Sequence, residues 1–272
     1  MSAVLPATEL VDLPAAGRRF TAGHTVRLGD VDPTGRLRLD ATARHLQDVA
    51  TDDADQSGLG QTFGWVVRRA MLEVRHGPVL GERLELTTFC SGSGRSWAER
   101  RTSIVGDRGG EVEAVALWVQ VDASTGRPTG LDERFHEIYG SAAAGRRVST
   151  RLTLPPPPAD ADRRPWTLRR VDLDVFDHVN NAVQWAILEE AMAEHGVGAV
   201  GRFEIEYLAP VGGHDRSLSL LTATDDGVSE WGLSVWLVSG DTVRFAARAT
   251  AGTRAAVQAG TGTVDAGRLQ SG

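Results

Sequence analysis

The chain has 272 residues, of which 41% are hydrophobic and 24% charged, and its net charge is −7. This length and composition are typical of a globular protein with one large or two small domains, and they exclude a disordered or fibrous chain. The acidic balance argues against nucleic acid as a partner, and no apolar run reaches the length of a membrane span. The N-terminal segment lacks the basic and apolar regions of a secretion signal, so we expect a cytoplasmic protein.

The first half of the chain predicts a turn, a helix and a series of strands. Residues 1–20 are predicted to be a flexible N-terminal tail, and DVDPTG, which begins at Asp30, has the residue preferences of a type I turn. Asp40 is the predicted cap of a helix that ends near Gly58, with apolar residues at Ala43, Leu46 and Ala50. Later segments such as WAERRTSIVG alternate with period two, which is typical of antiparallel strands. The single cysteine, Cys90, is predicted to be a buried, unreactive thiol in one of these strands.

A proline-rich segment at residues 146–165 is the clearest internal boundary. Four consecutive prolines at residues 155–158 favour an extended linker between a first domain at 21–145 and a second at 166–255. The second domain repeats the plan: DLDVFDHVNN leads into a helix that Asn180 or Asn181 caps and Gly196 closes, with apolar residues at Ala182, Trp185, Leu188 and Met192. Residues 256–272 are predicted to be a flexible C-terminal tail.

The two halves align without gaps when the chain is shifted by 142 residues. Asp32 then pairs with Asp174, and Gln47 pairs with Glu189 on the corresponding face of the helix. A repeat of a whole domain follows, and the sequence predicts an α+β fold with one long helix and about four antiparallel strands in each half. The RLRL sequence at residues 36–39 replaces the HVNN of the second half, so we expect the first-half site to be degenerate.

An acid and an imidazole, Asp174 and His178, lie four residues apart on a turn just ahead of the second helix. A helix N-terminus offers free backbone N–H groups and the positive end of a dipole. Together these groups provide a base for water and donors for an oxyanion, as hydrolysis of an activated acyl group requires. We predict Asp174 as general base or nucleophile, and His178 as the group that polarises the carbonyl or holds the water. The alternative is that both residues only shape the turn.

Five further residues complete the candidate site. The backbone N–H groups of Asp177, His178 and Val179 are candidate oxyanion donors, which makes Asp177 and Val179 predicted substrate contacts. Asn181 is a candidate catalytic residue whose alternative role is to cap the helix. Trp185 is predicted to line an acyl channel, although large aromatic residues usually belong to the core. Glu189 is the second choice of base, and its alternative is a solvated helix position.

Several dispersed motifs, in this order, resemble the acyl-ACP thioesterases of the plant type. They are GERLELTTFCSGSGRSWAERR, ALWVQVDASTGRPTGL and DLDVFDHVNN followed by WAILE. The resemblance implies two fused hot-dog domains and an acyl thioester substrate, and its Asp and His match Asp174 and His178. Phe176 stands where the family has Asn, while Pro210 and Val211 stand near its Glu-Cys pair. The second half therefore also resembles the smaller acyl-CoA thioesterases, in which one Asp before the helix does the main work.

The sequence thus predicts an acyl-ACP thioesterase of fatty acid metabolism, α+β in class, with two tandem hot-dog domains and its active site in the second. The alternatives are an acyl-CoA thioesterase, a hot-dog hydratase or dehydratase, and a non-catalytic protein that binds acyl thioesters. No cofactor and no metal are expected, because no phosphate loop or metal-ligand spacing occurs. The expected partners are acyl carrier protein or coenzyme A thioesters, and exposed sheet edges would permit a homodimer.

Overall fold

One large sheet runs through the part of the chain that the structure, a computed structural model, describes: residues 4–5, 10–59, 64–122, 124–198, 201–215, 217–226 and 231–251. Its strands are β1 (Val4–Leu5), β2 (Phe20–Thr25), β3 (Gly64–His76), β4 (Arg83–Ser93), β5 (Trp97–Gly106), β6 (Glu111–Val121), β7 (Arg147–Val148), β8 (Asp162–Trp166), β9 (Gly201–Tyr207), β10 (Leu218–Asp226), β11 (Trp231–Ser239) and β12 (Thr242–Ala251). The helices are α1 (Leu39–Ser57), α2 (Glu133–Ala143) and α3 (Asn181–Glu194).

The strand order of the first half is mirrored in the second. The first half runs β4-β5-β6-β3 with β2 beside β4, and the second runs β9-β12-β11-β10-β8. The two halves meet where β3 pairs antiparallel with β9, in a register that places Ala70 opposite Ile205. The predicted α+β plan, a long helix on an antiparallel sheet in each half, is confirmed, and the backbone of the sheet is continuous from one half to the other.

The long helices α1 and α3 pack against each other and on the sheet. Their apolar stripes fill one shared core with residues from both halves of the sheet. In α3 the predicted stripe is buried, with Trp185 only 2% exposed and Leu188 fully enclosed. Burying one large apolar side chain contributes about 1.5–3 kcal/mol, so this stripe fixes the helix on the sheet.

The helix ends differ from the sequence prediction in one detail. The N-cap of α1 is Arg38 and not Asp40, which lies inside the first turn and pairs with the Arg38 guanidinium at 2.7 Å. A carboxylate in the first turn is also favourable, because it faces the positive end of the helix dipole. Asn180 caps α3 as predicted: its Oδ1 accepts the N–H of Ala182 at 2.9 Å. Gly196 follows α3 in the left-handed conformation, with φ +69°.

The helix α2 is not among the elements predicted from the sequence. Asp132 caps it by accepting the N–H of Phe135 at 2.8 Å, and the buried faces of Phe135 and Tyr139 pack toward β4. Its apolar face is only two turns long, so its periodicity is weak in the sequence. The helix and the sheet form a second hydrophobic cluster that includes the buried Cys90.

The predicted linker at residues 146–165 contains β7 and the beginning of β8, and its Pro155 carbonyl accepts the indole N–H of Trp236 at 2.9 Å. In the predicted N-terminal tail, the Val11 carbonyl accepts the Arg101 Nε–H at 3.2 Å, and β1 pairs with β7. The predicted C-terminal tail at 256–272 lies outside the described residues. The domain boundaries remain predictions.

Candidate active site

The loop that precedes α3 is folded around the side chain of Asp174. Its Oδ1 accepts the backbone N–H groups of Phe176 at 2.9 Å and His178 at 3.3 Å. The Asp174 N–H donates to the His178 carbonyl at 2.8 Å and closes the loop. No described residue donates to the second carboxylate oxygen, Oδ2. Asp174 therefore organises the turn and keeps one oxygen available to accept a proton.

The same loop occurs in the first half, 142 residues earlier. The Oδ1 of Asp32 accepts the N–H of Thr34 at 2.8 Å, and the Asp32 carbonyl accepts the N–H of Gly35 at 2.9 Å. Gly35 has φ +83°, and its counterpart Asp177 has φ +58°. Asp is among the few residues with a side chain that tolerate this left-handed conformation. The repeat therefore extends to individual hydrogen bonds.

The N-terminus of α3 lies directly after this loop. Asn180 uses its side chain to cap Ala182, whereas the N–H of Asn181 donates to no described residue. The Asn181 carbonyl accepts the hydroxyl of Tyr207 at 3.4 Å. Burial raises the pKa of that hydroxyl, so it remains a neutral donor. One N–H at the positive end of α3 is thus free to bind an oxygen of a ligand.

A cavity of about 400 Å³, which we call the deep cavity, extends from this helix end into the first half of the protein. Aromatic and small side chains of the α2 cluster form much of its wall. They are Leu59, Trp65, Cys90, Ala98, Phe135 and Tyr139. Its volume lies within the range of small-molecule pockets, and this part of its lining suits an apolar chain. The same cavity is also lined by the charged residues Asp55, Glu99 and Arg100. A smaller cavity of about 40 Å³ adjoins it and is lined by Asn181, Ala182 and Trp185.

A second space, which we call the surface groove, has a volume of about 820 Å³ and a polar lining. Its charged residues include Arg27, Asp30, Arg44, Asp48 and Asp174. The deep cavity and the surface groove share three lining residues. We call these three residues the neck: Gln47, Asp174 and Asn180. The neck therefore joins an apolar space to a polar one beside the free N–H of α3.

The structure does not bring the imidazole of His178 to the neck. The residue is exposed, its ring makes no hydrogen bond to a described residue, and it lines neither the deep cavity nor the surface groove. Its backbone instead holds Asp174 and forms a β-bridge with Gly212. Phe176, where the resembling family has Asn, is 76% exposed. Val211 is buried, and its carbonyl accepts the Val179 N–H at 2.8 Å.

The three backbone donors predicted from the sequence already have acceptors within the protein. The N–H of Asp177 donates to the Asp174 carbonyl, that of His178 to the Asp174 carboxylate, and that of Val179 to the Val211 carbonyl. None of them is free to bind an oxyanion in this conformation, and Val179 is buried. The available N–H belongs to Asn181, one residue inside the helix.

Glu189 belongs to the other helix end. Its carboxylate accepts the N–H of Leu39 at 2.7 Å and that of Asp40 at 3.3 Å, at the N-terminus of α1. Burial raises the pKa of this carboxyl to about 7. It lines neither the deep cavity nor the surface groove, so the structure separates this second choice of base from Asp174. Trp185 is buried beside Asn181, where it lines the small cavity.

Gln47 is the neck residue for which the sequence predicts no role. It lies in α1 and lines the deep cavity, the surface groove and the small cavity. Its side chain makes no hydrogen bond to a described residue. The signal that could have found it is the 142-residue repeat, which already placed it opposite Glu189.

Three further observations concern the thiol, the metal-binding side chains and the helices of the described residues. Burial raises the pKa of the Cys90 thiol to about 11, so the thiol stays protonated and unreactive, as predicted. Within the described ranges, no group of His, Cys, Asp and Glu side chains is arranged to hold a metal ion. Among the helices that the structure describes, none is long and apolar enough to cross a membrane.

Comparison with known proteins identifies the family of this chain. The profile of the acyl-ACP thioesterase N-terminal domain matches residues 17–139, and that of the acyl-ACP thioesterase C-terminal domain matches residues 157–240. An uncharacterized protein of Mycobacterium tuberculosis is 29% identical over 240 residues, which cover 88% of this chain and 94% of that protein. The chloroplastic palmitoyl-acyl carrier protein thioesterase of Gossypium hirsutum is 26% identical over 245 residues, and the match covers 80% of this chain but 58% of the plant protein.

Solved structures show the same fold. The 12:0-ACP thioesterase from Umbellularia californica superimposes with a TM-score of 0.71 at 21% identity, over 86% of this chain and 98% of that one. An acyl-ACP thioesterase from Bacteroides thetaiotaomicron superimposes with a TM-score of 0.64 at 18% identity, over 86% of this chain and 98% of that one. The predicted fold of two tandem hot-dog units is confirmed.

Proposed function

The chain belongs to the acyl-ACP thioesterase family, and from this membership we propose that it hydrolyses fatty acyl thioesters of acyl carrier protein to free fatty acids. The observation that carries the proposal is the neck of Gln47, Asp174 and Asn180, at which a deep apolar cavity meets a polar surface groove. A thioester joins an apolar acyl chain to a polar carrier arm, so its reactive carbon would lie where the two spaces meet. The Oδ2 of Asp174, to which no described residue donates a hydrogen bond, is available at that place.

In this proposal the acyl chain enters the deep cavity and the carrier arm lies in the surface groove. The wall formed by Trp65, Phe135 and Tyr139 offers a continuous aromatic surface, with ring centroids 5.9 and 5.1 Å apart in that order. Burying a chain against it contributes about 25 cal/mol for each Å² of apolar surface removed from water. The first hot-dog unit thus binds the chain, while the second supplies the base.

Hydrolysis then proceeds by attack of water on the thioester carbon. Asp174 Oδ2 accepts a proton from the water as the water oxygen bonds to the carbon. The negative charge that develops on the carbonyl oxygen is stabilised by the Asn181 N–H at the positive end of α3. The C–S bond breaks as the carbonyl reforms, and the proton on Asp174 passes to the leaving sulfur. The products are a free fatty acid and the carrier thiol.

Coenzyme A is the second candidate for the carrier. Acyl carrier protein is acidic, and the net charge of −7 on this chain opposes its approach over long distances. The surface groove carries Arg27 and Arg44, but Asp30 and Asp48 lie in the same groove. This mixture of charges would accept either carrier arm, so the choice of carrier rests on measurement.

The test is release of free thiol from acyl-ACP and acyl-CoA substrates of increasing chain length. We expect turnover by the native protein and a loss of about 10²–10⁴-fold in kcat for Asp174→Asn, which keeps the turn but removes the base. Asp32→Asn is the matched control, because the same turn in the first half faces neither cavity. It should retain activity within about threefold, as a neutral surface substitution does.

Two outcomes would contradict the proposal. Binding of acyl thioesters without thiol release from any of them would favour the non-catalytic alternative. Thiol release that Asp174→Asn leaves unchanged would keep the activity but reject Asp174 as the base.

A further inference from the structure

Gln47 and Glu189 occupy equivalent positions on the two long helices. They are 142 residues apart, as are the first helical residues Leu39 and Asn181. Each lies eight residues after the start of its own helix, and α1 and α3 pack against each other. Each side chain is therefore placed to face the N-terminus of the opposite helix.

At the N-terminus of α1 this arrangement is complete. Glu189 reaches across from α3, and its two carboxylate oxygens accept the N–H groups of Leu39 at 2.7 Å and Asp40 at 3.3 Å. The helix end thus holds two oxygens on a trigonal carbon, as it would hold the oxygens of a bound carboxylic acid. The first-half site is occupied by the protein itself.

At the N-terminus of α3 the equivalent place is open. The N–H of Asn181, the counterpart of Leu39, has no described acceptor, and Asn180 caps Ala182. Gln47 stands where Glu189 stands in the other half, and it lines the same cavities as Asn181. Its neutral amide carries an N–H₂ group that donates two hydrogen bonds, whereas a carboxylate only accepts. No described residue uses that group.

We propose that the side-chain amide of Gln47 is a catalytic donor that binds the thioester carbonyl oxygen together with the backbone N–H of Asn181. The inference rests on the proposed hydrolase function and adds a residue from the first hot-dog unit to the site of the second. Two donors from opposite helices would meet the oxygen as negative charge develops on it. Such preorganised donors act mainly on the transition state, so their loss lowers kcat more than it raises KM.

The experiment measures kcat and KM for thiol release by the native protein and three variants. Gln47→Ala removes the donor, and we expect kcat to fall about 10²–10³-fold with little change in KM. Gln47→Glu places a carboxylate at the neck, just as Glu189 places one at the N-terminus of α1. Because a carboxylate cannot donate a hydrogen bond, this variant should be inactive at high pH. Activity should return as the pH falls and the carboxyl group becomes protonated and able to donate. Gln56→Glu is the matched control on the exposed part of α1, away from the cavities.

Gln47→Ala with native kcat, or Gln47→Glu with the native pH profile, would overturn the role of Gln47. If one of the two Gln47 variants fails to fold, the other still tests the role of Gln47. The pH profile of Gln47→Glu compares one protein with itself at different pH values, so it does not depend on the Gln47→Ala result. A native protein that releases no thiol while Gln47 variants fold normally would count against the proposed function itself. Thiol release that depends on Asp174 but not on Gln47 would overturn only this inference.

Discussion

The carboxylate of Glu189 on α3 accepts the backbone N–H of Leu39, the first residue of α1, at 2.7 Å. A side chain from one half of the chain thus caps the helix of the other half. The first N–H groups of a helix have no partner within it, and a cap contributes about 1 kcal/mol. The contact therefore stabilises the junction of the two units as well as one helix.

Replacing Glu189 with Gln should remove a pH dependence of stability. Burial raises the pKa of this carboxyl from 4.5 to about 7. The folded protein then binds the proton more tightly than the unfolded chain, so the contribution to stability is fully present below about pH 4.5 and is lost as the pH rises to about 7. Relative to the variant, the native free energy of unfolding should fall by up to about 1.4 kcal/mol per pH unit in this window. Urea titrations across the window measure the difference, and parallel curves would contradict it.

Replacing Asp53 with Ala should be strongly destabilising. This carboxylate is 1% exposed and accepts hydrogen bonds from three groups. The donors are the guanidinium groups of Arg18 at 2.6 Å and Arg100 at 2.7 Å, and the Tyr139 hydroxyl at 2.9 Å. Its removal leaves two guanidinium groups without their partner, and we expect a loss of about 3 kcal/mol in the free energy of unfolding. The control, Asp52→Ala, changes an exposed neighbour and should stay within about 0.5 kcal/mol. Similar denaturation midpoints for the two variants would show that the cluster contributes little.

Enlarging Ala98 should shorten the acyl chain that the protein prefers. Ala98 is 8% exposed and lines the deep cavity together with Cys90 and Tyr139. The side chain of Ala98→Leu would project into that space, so kcat/KM for long chains should fall about 10–200-fold while short chains are little affected. Kinetics over a series of chain lengths separate this effect from a general loss of folded protein, which would lower the apparent kcat/KM equally for all chain lengths. A uniform decrease would place the acyl chain elsewhere.

Replacing His178 with Ala should lower kcat less than the loss of a general acid or base would. The ring is exposed and lines neither cavity, while the backbone N–H that holds Asp174 survives the substitution. We expect kcat to fall by less than about tenfold, compared with about 10²–10⁴-fold for a ring that transfers protons. Steady-state kinetics measure the change in kcat. A fall in kcat of the larger size would show that the loop turns the imidazole to the substrate.

The turn and the helix that form the site could be predicted from the sequence because both occur twice in the chain, as an internal repeat. The Asp32 and Asp174 turns share their hydrogen bonds, and α1 and α3 begin at the same offset. A pattern that recurs at one spacing is hard to produce by chance, so the sequence alone predicts the duplicated arrangement.

The groups that complete the site could not be predicted in this way. Whether a backbone N–H is free depends on distant acceptors, such as the Val211 carbonyl that binds Val179. The backbone position of His178 depends on its β-bridge to Gly212, which lies on a separate loop. The role of Gln47 depends on the packing of α1 against α3, and no spacing within α1 contains that information.

The continuous sheet through β3 and β9 allows the two sites to differ from each other. In a dimer of identical chains, one gene specifies both helices, and any residue that blocks one helix end must block the other. When two units share a chain, a mutation changes only one of them. Position 189 can therefore carry an acid that fills one helix end, while position 47 carries an amide that leaves the other end open. Covalent fusion also makes the pairing of the two units independent of protein concentration, so the specific activity of this chain should not decline on dilution.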